Sequence, residues 1–122
     1  MTTQRDPRLL YGADIRKRIL DDVARDIDRL AKSRRVGRLV SVGIGDIEEI
    51  AVYIRGQARA AAVVGLPFDE QHWPADLTQD ECKRRLVEMN DDPDVLGVIL
   101  QRPVPAHINV RSLQSAIHPL KD

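Results

Sequence analysis

The chain has 122 residues, 43% of them hydrophobic and 31% charged, a globular balance that suits one domain but not a catalytic domain plus a full dinucleotide-binding domain. Its 19 basic side chains are offset by 19 acidic ones, so no net field draws in polyanions and nucleic acid is not an expected partner. The single cysteine, Cys82, rules out an internal disulfide, and with neither an apolar leader in MTTQRDPRLL nor a run of transmembrane length, a cytoplasmic protein with no membrane partner is expected.

In chain order, Ile15, Ile19, Val23, Ile27 and Leu30 recur at three- and four-residue spacings, which predicts a one-faced helix. The basic run from Lys32 to Arg38 is expected to end it, with Gly37 allowing the reversal. LVSVGIG, residues 39 to 45, is nearly unbroken and β-branched, as a strand covered on both faces should be. Asp46 is expected to cap a second helix through IEEIAVYIRGQARAAAVVG, with Glu48 and Glu49 in its first turn and a stop at Gly65. LPFDEQHWPADL predicts a short edge strand and a loop.

Thr78 and Glu81 have the spacing of a capping box, predicting a helix from about Gln79 that NDDPD breaks. VLGVIL, residues 95 to 100, predicts a second central strand, and Val110 to Ile117 a last helix. Helices alternating with apolar strands predict a three-layer α/β domain, residues 1 to 122, with a short, mostly parallel sheet and helices on both faces.

In such sheets ligands gather outside the carboxyl ends of the strands, which directs attention to the loops after Gly45 and Leu100. Gly43 and Gly45 imitate part of a phosphate loop, but the third glycine is missing and Glu48 and Glu49 would repel phosphate. Tyr53 offers a stacking face and a hydroxyl, and Gln57, four residues on, shares its helix face. Gln101 is a neutral donor and acceptor at the end of its strand. The ordinary alternatives are a core or rim tyrosine and a loop glutamine bonded to backbone. His72, His107 and His118 are not spaced as metal ligands, so no metal is expected. Asn90, Asp91, Asp92 and Asp94 fit a helix-ending turn better than a calcium loop. Cys82, far in sequence from any histidine, makes no case for a nucleophile.

LVSVGIG, Tyr53 with Ile54, the stop at Gly65, GVILQRPVP and IHPLKD, taken in order with the opening YGADIRKRI, resemble the catalytic domain of the methylenetetrahydrofolate dehydrogenase/cyclohydrolase family over nearly the whole chain. The resemblance implies a cleft for a tetrahydrofolate derivative as substrate, with the pterin against a tyrosine, and NADP bound by a further Rossmann domain that this chain lacks. It places Tyr53 on the tyrosine of the family's Tyr-Val-x-x-Lys motif and Gln101 on the glutamine of Val-Gln-Leu-Pro-Leu-Pro. Tyr53, Gln57 and Gln101 are thus the implied catalytic positions. Leu100, Arg102, Pro103 and Asp122 join them as substrate-binding positions, Asp122 aligning with the first aspartate of Lys-Asp-Val-Asp-Gly.

Four residues depart from the family pattern: Gln57 replaces the lysine, Ile50 a serine, Arg102 a leucine and Asn109 an aspartate. A lysine of lowered pKa relays protons whereas an amide does not titrate, so cyclohydrolase chemistry is expected to be weakened or lost. Hydride transfer depends mainly on positioning two cofactors and suffers less. A second reading is a standalone homologue that binds a folate or a protein partner without catalysis. The family forms dimers, which leaves a homodimer open.

Overall fold

The computed structural model describes residues 4–122. Seven elements follow in the order α1 (Gly12–Ala31), β1 (Arg38–Ile44), α2 (Glu48–Val64), β2 (Phe68–Trp73), α3 (Gln79–Asn90), β3 (Val95–Leu100) and α4 (Val110–Ala116). The three strands form one wholly parallel sheet in the order β2-β1-β3. This is the expected three-layer α/β domain. One expectation is corrected: β3 is an edge strand, and only β1, hydrogen-bonded on both sides, is central. Its apolar composition comes from covering rather than centrality, since its outer edge is lined by the end of the chain, where the Val98 amide donates to the Lys121 carbonyl at 2.7 Å.

Alternation along β1 divides the interior. Val40, Val42 and Ile44 are fully buried and point into the main core, where they meet Trp73, Cys82, Leu86, Val98, Leu113 and Ile117 beneath α3 and α4. The residues between them face α2, whose Ile50, Ile54, Ala61 and Val64 are its buried stripe. Gly43 leaves room there: a Cβ on it would lie 3.5 Å from the Ile50 side chain. A strand buried on both faces needs this continuous apolar pattern.

Local signals mark several boundaries. The Thr78 hydroxyl accepts from the Glu81 amide at 3.1 Å, one arm of the capping box. The other arm is not formed, because the Glu81 carboxylate is taken by Arg84 and Arg85. Gly65 ends α2 in the left-handed conformation at φ 78°, with the Leu66 amide donating to the Ala61 carbonyl at 2.9 Å. Asp92 closes the turn after α3 by accepting from the Asp94 amide at 2.9 Å.

Other local expectations fail. Asp46 does not cap α2: the cap position is Ile47, without a side-chain bond. Gly37 makes no left-handed reversal after α1. It is instead a close-approach residue, because a Cβ there would sit 2.8 Å from the Asp94 carbonyl beside the β1 to β3 register shift. The stripe of α1 is real but not buried. No residue of α1 is buried, and Ile15, Ile19 and Val23 are 45%, 56% and 37% exposed, because the helix packs on α2 rather than on the sheet.

Candidate functional site

Parallel order 2-1-3 has a specific consequence at the carboxyl ends of the strands. The chain leaving β1 turns to the α2 face, whereas the chains leaving β2 and β3 turn to the face of α3 and α4. Two crevices therefore flank the end of β1, which is where a sheet of this kind accepts ligands.

The β1/β2 crevice is open at its mouth, where a hollow of about 300 Å³ is lined by Gly45, Asp46, His72, Trp73, Pro74 and Ala75, and narrows beneath it. Gly45, at φ 81°, brings the loops together: a Cβ on it would lie 3.3 Å from Ala75 and 3.6 Å from Pro105. The His72 Nε2 donates to the Gly45 carbonyl at 2.7 Å, since a carbonyl only accepts. Between α2 and β2 remains a cavity of about 60 Å³ lined by Gly43, Ile50, Ile54 and His72, among others. It is far below the volume of a cofactor-sized pocket, roughly 300 Å³ or more. None of Tyr53, Gln57 and Gln101 lines it.

The β1/β3 crevice holds the polar groups. The Gln101 amide nitrogen of the backbone donates to the Val42 carbonyl at 2.9 Å, extending the ladder one residue beyond β3. Its side chain points to the α2 face and is buried, 6% exposed. There the carboxamide nitrogen donates twice, to the Ser41 hydroxyl at 2.9 Å and to Gln57 Oε1 at 2.6 Å. Tyr53 stands one turn before Gln57 on the same flank of α2 and is 68% exposed. The result is a neutral hydrogen-bonding pair, with the exposed ring of Tyr53 one helical turn away on α2.

Gln57 and Gln101 are therefore brought together, and Tyr53 is placed beside them. Arg102 and Pro103 follow at the exposed rim, and Arg102 makes no ion pair among the described residues. Leu100 turns to the opposite face and packs against the α3/α4 core. Asp122 is not brought to the trio, because its neighbour Lys121 is bonded to Val98 in the middle of β3 and also caps α3 through the Met89 and Asp92 carbonyls. Two of the residues at which the resemblance implies a difference have local structural roles. Ile50 is buried against the sheet, and the Asn109 side chain caps α4 by accepting from the Ser112 amide at 3.0 Å.

Sequence reasoning missed Ser41. The available signal was a lone hydroxyl within an apolar strand; it is fully buried, and a buried hydroxyl requires a partner.

Comparison with known proteins identifies the family. Residues 10–122 match the family described as tetrahydrofolate dehydrogenase/cyclohydrolase, catalytic domain. A bifunctional protein FolD 3 of Roseobacter denitrificans is 63% identical over 117 residues, covering 96% of this chain and 39% of that protein. A bifunctional protein FolD of Rhodobacter capsulatus is 56% identical over 122 residues, covering the whole chain and 41% of the relative. The methylenetetrahydrofolate dehydrogenase-cyclohydrolase of Trypanosoma brucei, solved with NADP cofactor and inhibitor, superposes with a TM-score of 0.81 at 27% identity, over 93% of this chain and 39% of that one. The Campylobacter jejuni FolD structure shares the fold with a TM-score of 0.88 at 23% identity, over 91% of this chain and 39% of that one. The chain thus spans about two fifths of the length of these relatives. On the family match and these identities together, the chain belongs to the tetrahydrofolate dehydrogenase/cyclohydrolase family and corresponds to its catalytic domain.

Proposed function

We propose that this chain is the folate-binding part of a 5,10-methylenetetrahydrofolate dehydrogenase/cyclohydrolase of one-carbon metabolism, with its cyclohydrolase step weakened. The observation that carries the reading is the Gln57 to Gln101 pair at the β1/β3 crevice, in a chain whose family match covers residues 10–122. A pterin is a flat, polar-edged ring. Tyr53 offers it a stacking face, and the two carboxamides offer its edge a neutral donor and a neutral acceptor. Arg102 adds a cation at the rim suited to an anionic tail.

When bound elsewhere in a longer protein, NADP would supply the hydride acceptor for the dehydrogenase reaction. This chain's own residues then have a positioning role: they hold the folate ring against the wall of α2. Hydrolysis of a methenyl group asks more of them, namely that a proton be moved near the reacting carbon. Gln57 supports water by hydrogen bonding only, since an amide does not titrate.

Calorimetry with tetrahydrofolate tests the reading. Binding is expected with the native chain, with a loss of about tenfold in Tyr53→Ala from the missing stacking face. Absence of heat at millimolar ligand, or a Tyr53→Ala variant that binds like the parent, rules the site out.

A further inference from the structure

Gln101 is usable by a ligand only if its carboxamide is held one way round, because a half-turn exchanges donor for acceptor. Its nitrogen carries two hydrogens, and the structure provides two acceptors for them: Ser41 Oγ at 2.9 Å and Gln57 Oε1 at 2.6 Å. The first lies on β1 and the second on α2, so the carboxamide is clamped between a strand and a helix. Ser41 is wholly buried and belongs to the most enclosed strand of the domain, whereas Gln57 is half-buried on the helix flank. Of the two acceptors Ser41 is the more rigid.

Among the described residues no buried side-chain nitrogen or oxygen lacks a partner. Among the described residues Gln101 Oε1 receives no hydrogen bond, and Gln57 Nε2 makes none. Both must therefore reach solvent, and they form the working edge of the site: one acceptor from β3 and one donor from α2. No titratable group takes part in the clamp.

We propose that Ser41 is a positioning residue for this site: its hydroxyl ties the Gln101 carboxamide to β1, in the arrangement that leaves Oε1 facing the crevice as an acceptor and, through Gln101, the Gln57 amide outward as a donor. This rests on the folate-binding reading only for the identity of the ligand; the clamp itself is independent of it. The ligand edge that fits presents a donor next to an acceptor, as a lactam does. An edge on which the lactam carbonyl is replaced by an amino group fits worse.

The test has two arms on the native chain and on Ser41→Ala and Ser41→Thr. In the first, no ligand is present. Side-chain amide exchange of Gln101 is read by nuclear magnetic resonance against exposed Gln4. Native Gln101 is expected to exchange roughly tenfold more slowly than Gln4, Ser41→Ala to lose most of that protection, and Ser41→Thr, which keeps the hydroxyl, to recover it. Native Gln101 exchanging as fast as Gln4, or protection unchanged in Ser41→Ala, overturns the proposal, and the native measurement alone decides the point if a variant fails to fold.

In the second arm, tetrahydrofolate and a 2,4-diaminopteridine analogue are titrated by calorimetry. The native chain is expected to prefer the former and Ser41→Ala to lose about tenfold of that preference, with Ser41→Thr restoring it. An unchanged preference in Ser41→Ala overturns the positioning role. If neither compound binds the native chain while the exchange pattern holds, the clamp stands and the folate reading fails.

Discussion

Gln101 and Gln57 meet across 2.6 Å, joining the end of β3 to the middle of α2 although 44 residues separate them in sequence. The resemblance read from the sequence implies a lysine at the position of Gln57. A lysine carries only donors, so it would have to bond the other end of the Gln101 carboxamide. On that reading, glutamine in place of lysine would change what the site presents as well as whether it can move a proton.

Gln57→Lys is expected to raise hydrolysis of methenyltetrahydrofolate by about 10²-fold or more, the lower range for a positioned acid or base. The gain should vary with pH, because the new group titrates and the amide does not. A stopped-flow absorbance assay on the two proteins measures both, and no gain at any pH shows that the crevice has diverged beyond this residue.

Gln101→Leu should destabilise the fold by about 1–3 kcal/mol, since it leaves the buried Ser41 hydroxyl and the inward oxygen of Gln57 without their donor. Urea unfolding followed by circular dichroism checks the loss. An unaltered midpoint would mean that the clamp contributes nothing to stability.

Gly45→Ala is expected to cost about 1–2 kcal/mol, because φ 81° lies in the left-handed region and the new methyl would press on Ala75 at 3.3 Å. The same change should disturb the loop that carries Pro105, so weaker ligand binding is expected beside the lower thermal midpoint.

Glu81 gives a sign for acid sensitivity. Hydrogen bonds from Arg84 first and Arg85 second lower its pKa from the ordinary value of 4.5 to about 2. A depressed folded value means that Glu81 adds stability above its ordinary pKa and that this contribution is lost as pH falls from about 4.5 toward about 2. Carbon-detected titration of the Glu81 carboxyl should show the low midpoint, and Glu81→Gln should flatten the acid limb of the stability curve. A midpoint at the ordinary value would show that the arginine bonds do not persist in solution.

Cys82 should be inert in the native state. It is fully enclosed in the α3/α4 core, and burial raises its thiol pKa above the usual value. Ellman's reagent at pH 8 is expected to find no reactive thiol until denaturant is added, and one equivalent thereafter. Prompt reaction of the folded chain would place Cys82 at an accessible surface.

The sequence by itself determined whatever depends on neighbours along the chain. Turn chemistry marked Thr78, Gly65 and the Asp92 turn, and unbroken β-branched runs marked β1 and β3, because capping, left-handed glycine and strand covering act over a few residues. The same local rules named Tyr53, Gln57 and Gln101 as residues of interest. They could not say that α1 leaves Ile15, Ile19 and Val23 partly exposed, since an apolar stripe specifies a face but not the surface it meets. Nor could they place β3 at the sheet edge, turn Leu100 into the core, or leave Asp122 away from the trio. The tertiary structure alone decided that Ser41, Gln101 and Gln57 form one network, joining residues 60 and 44 positions apart. Strand order and register put the end of β3 beside β1 and beneath α2, and a carboxamide enclosed there must find its partners among whatever those elements supply.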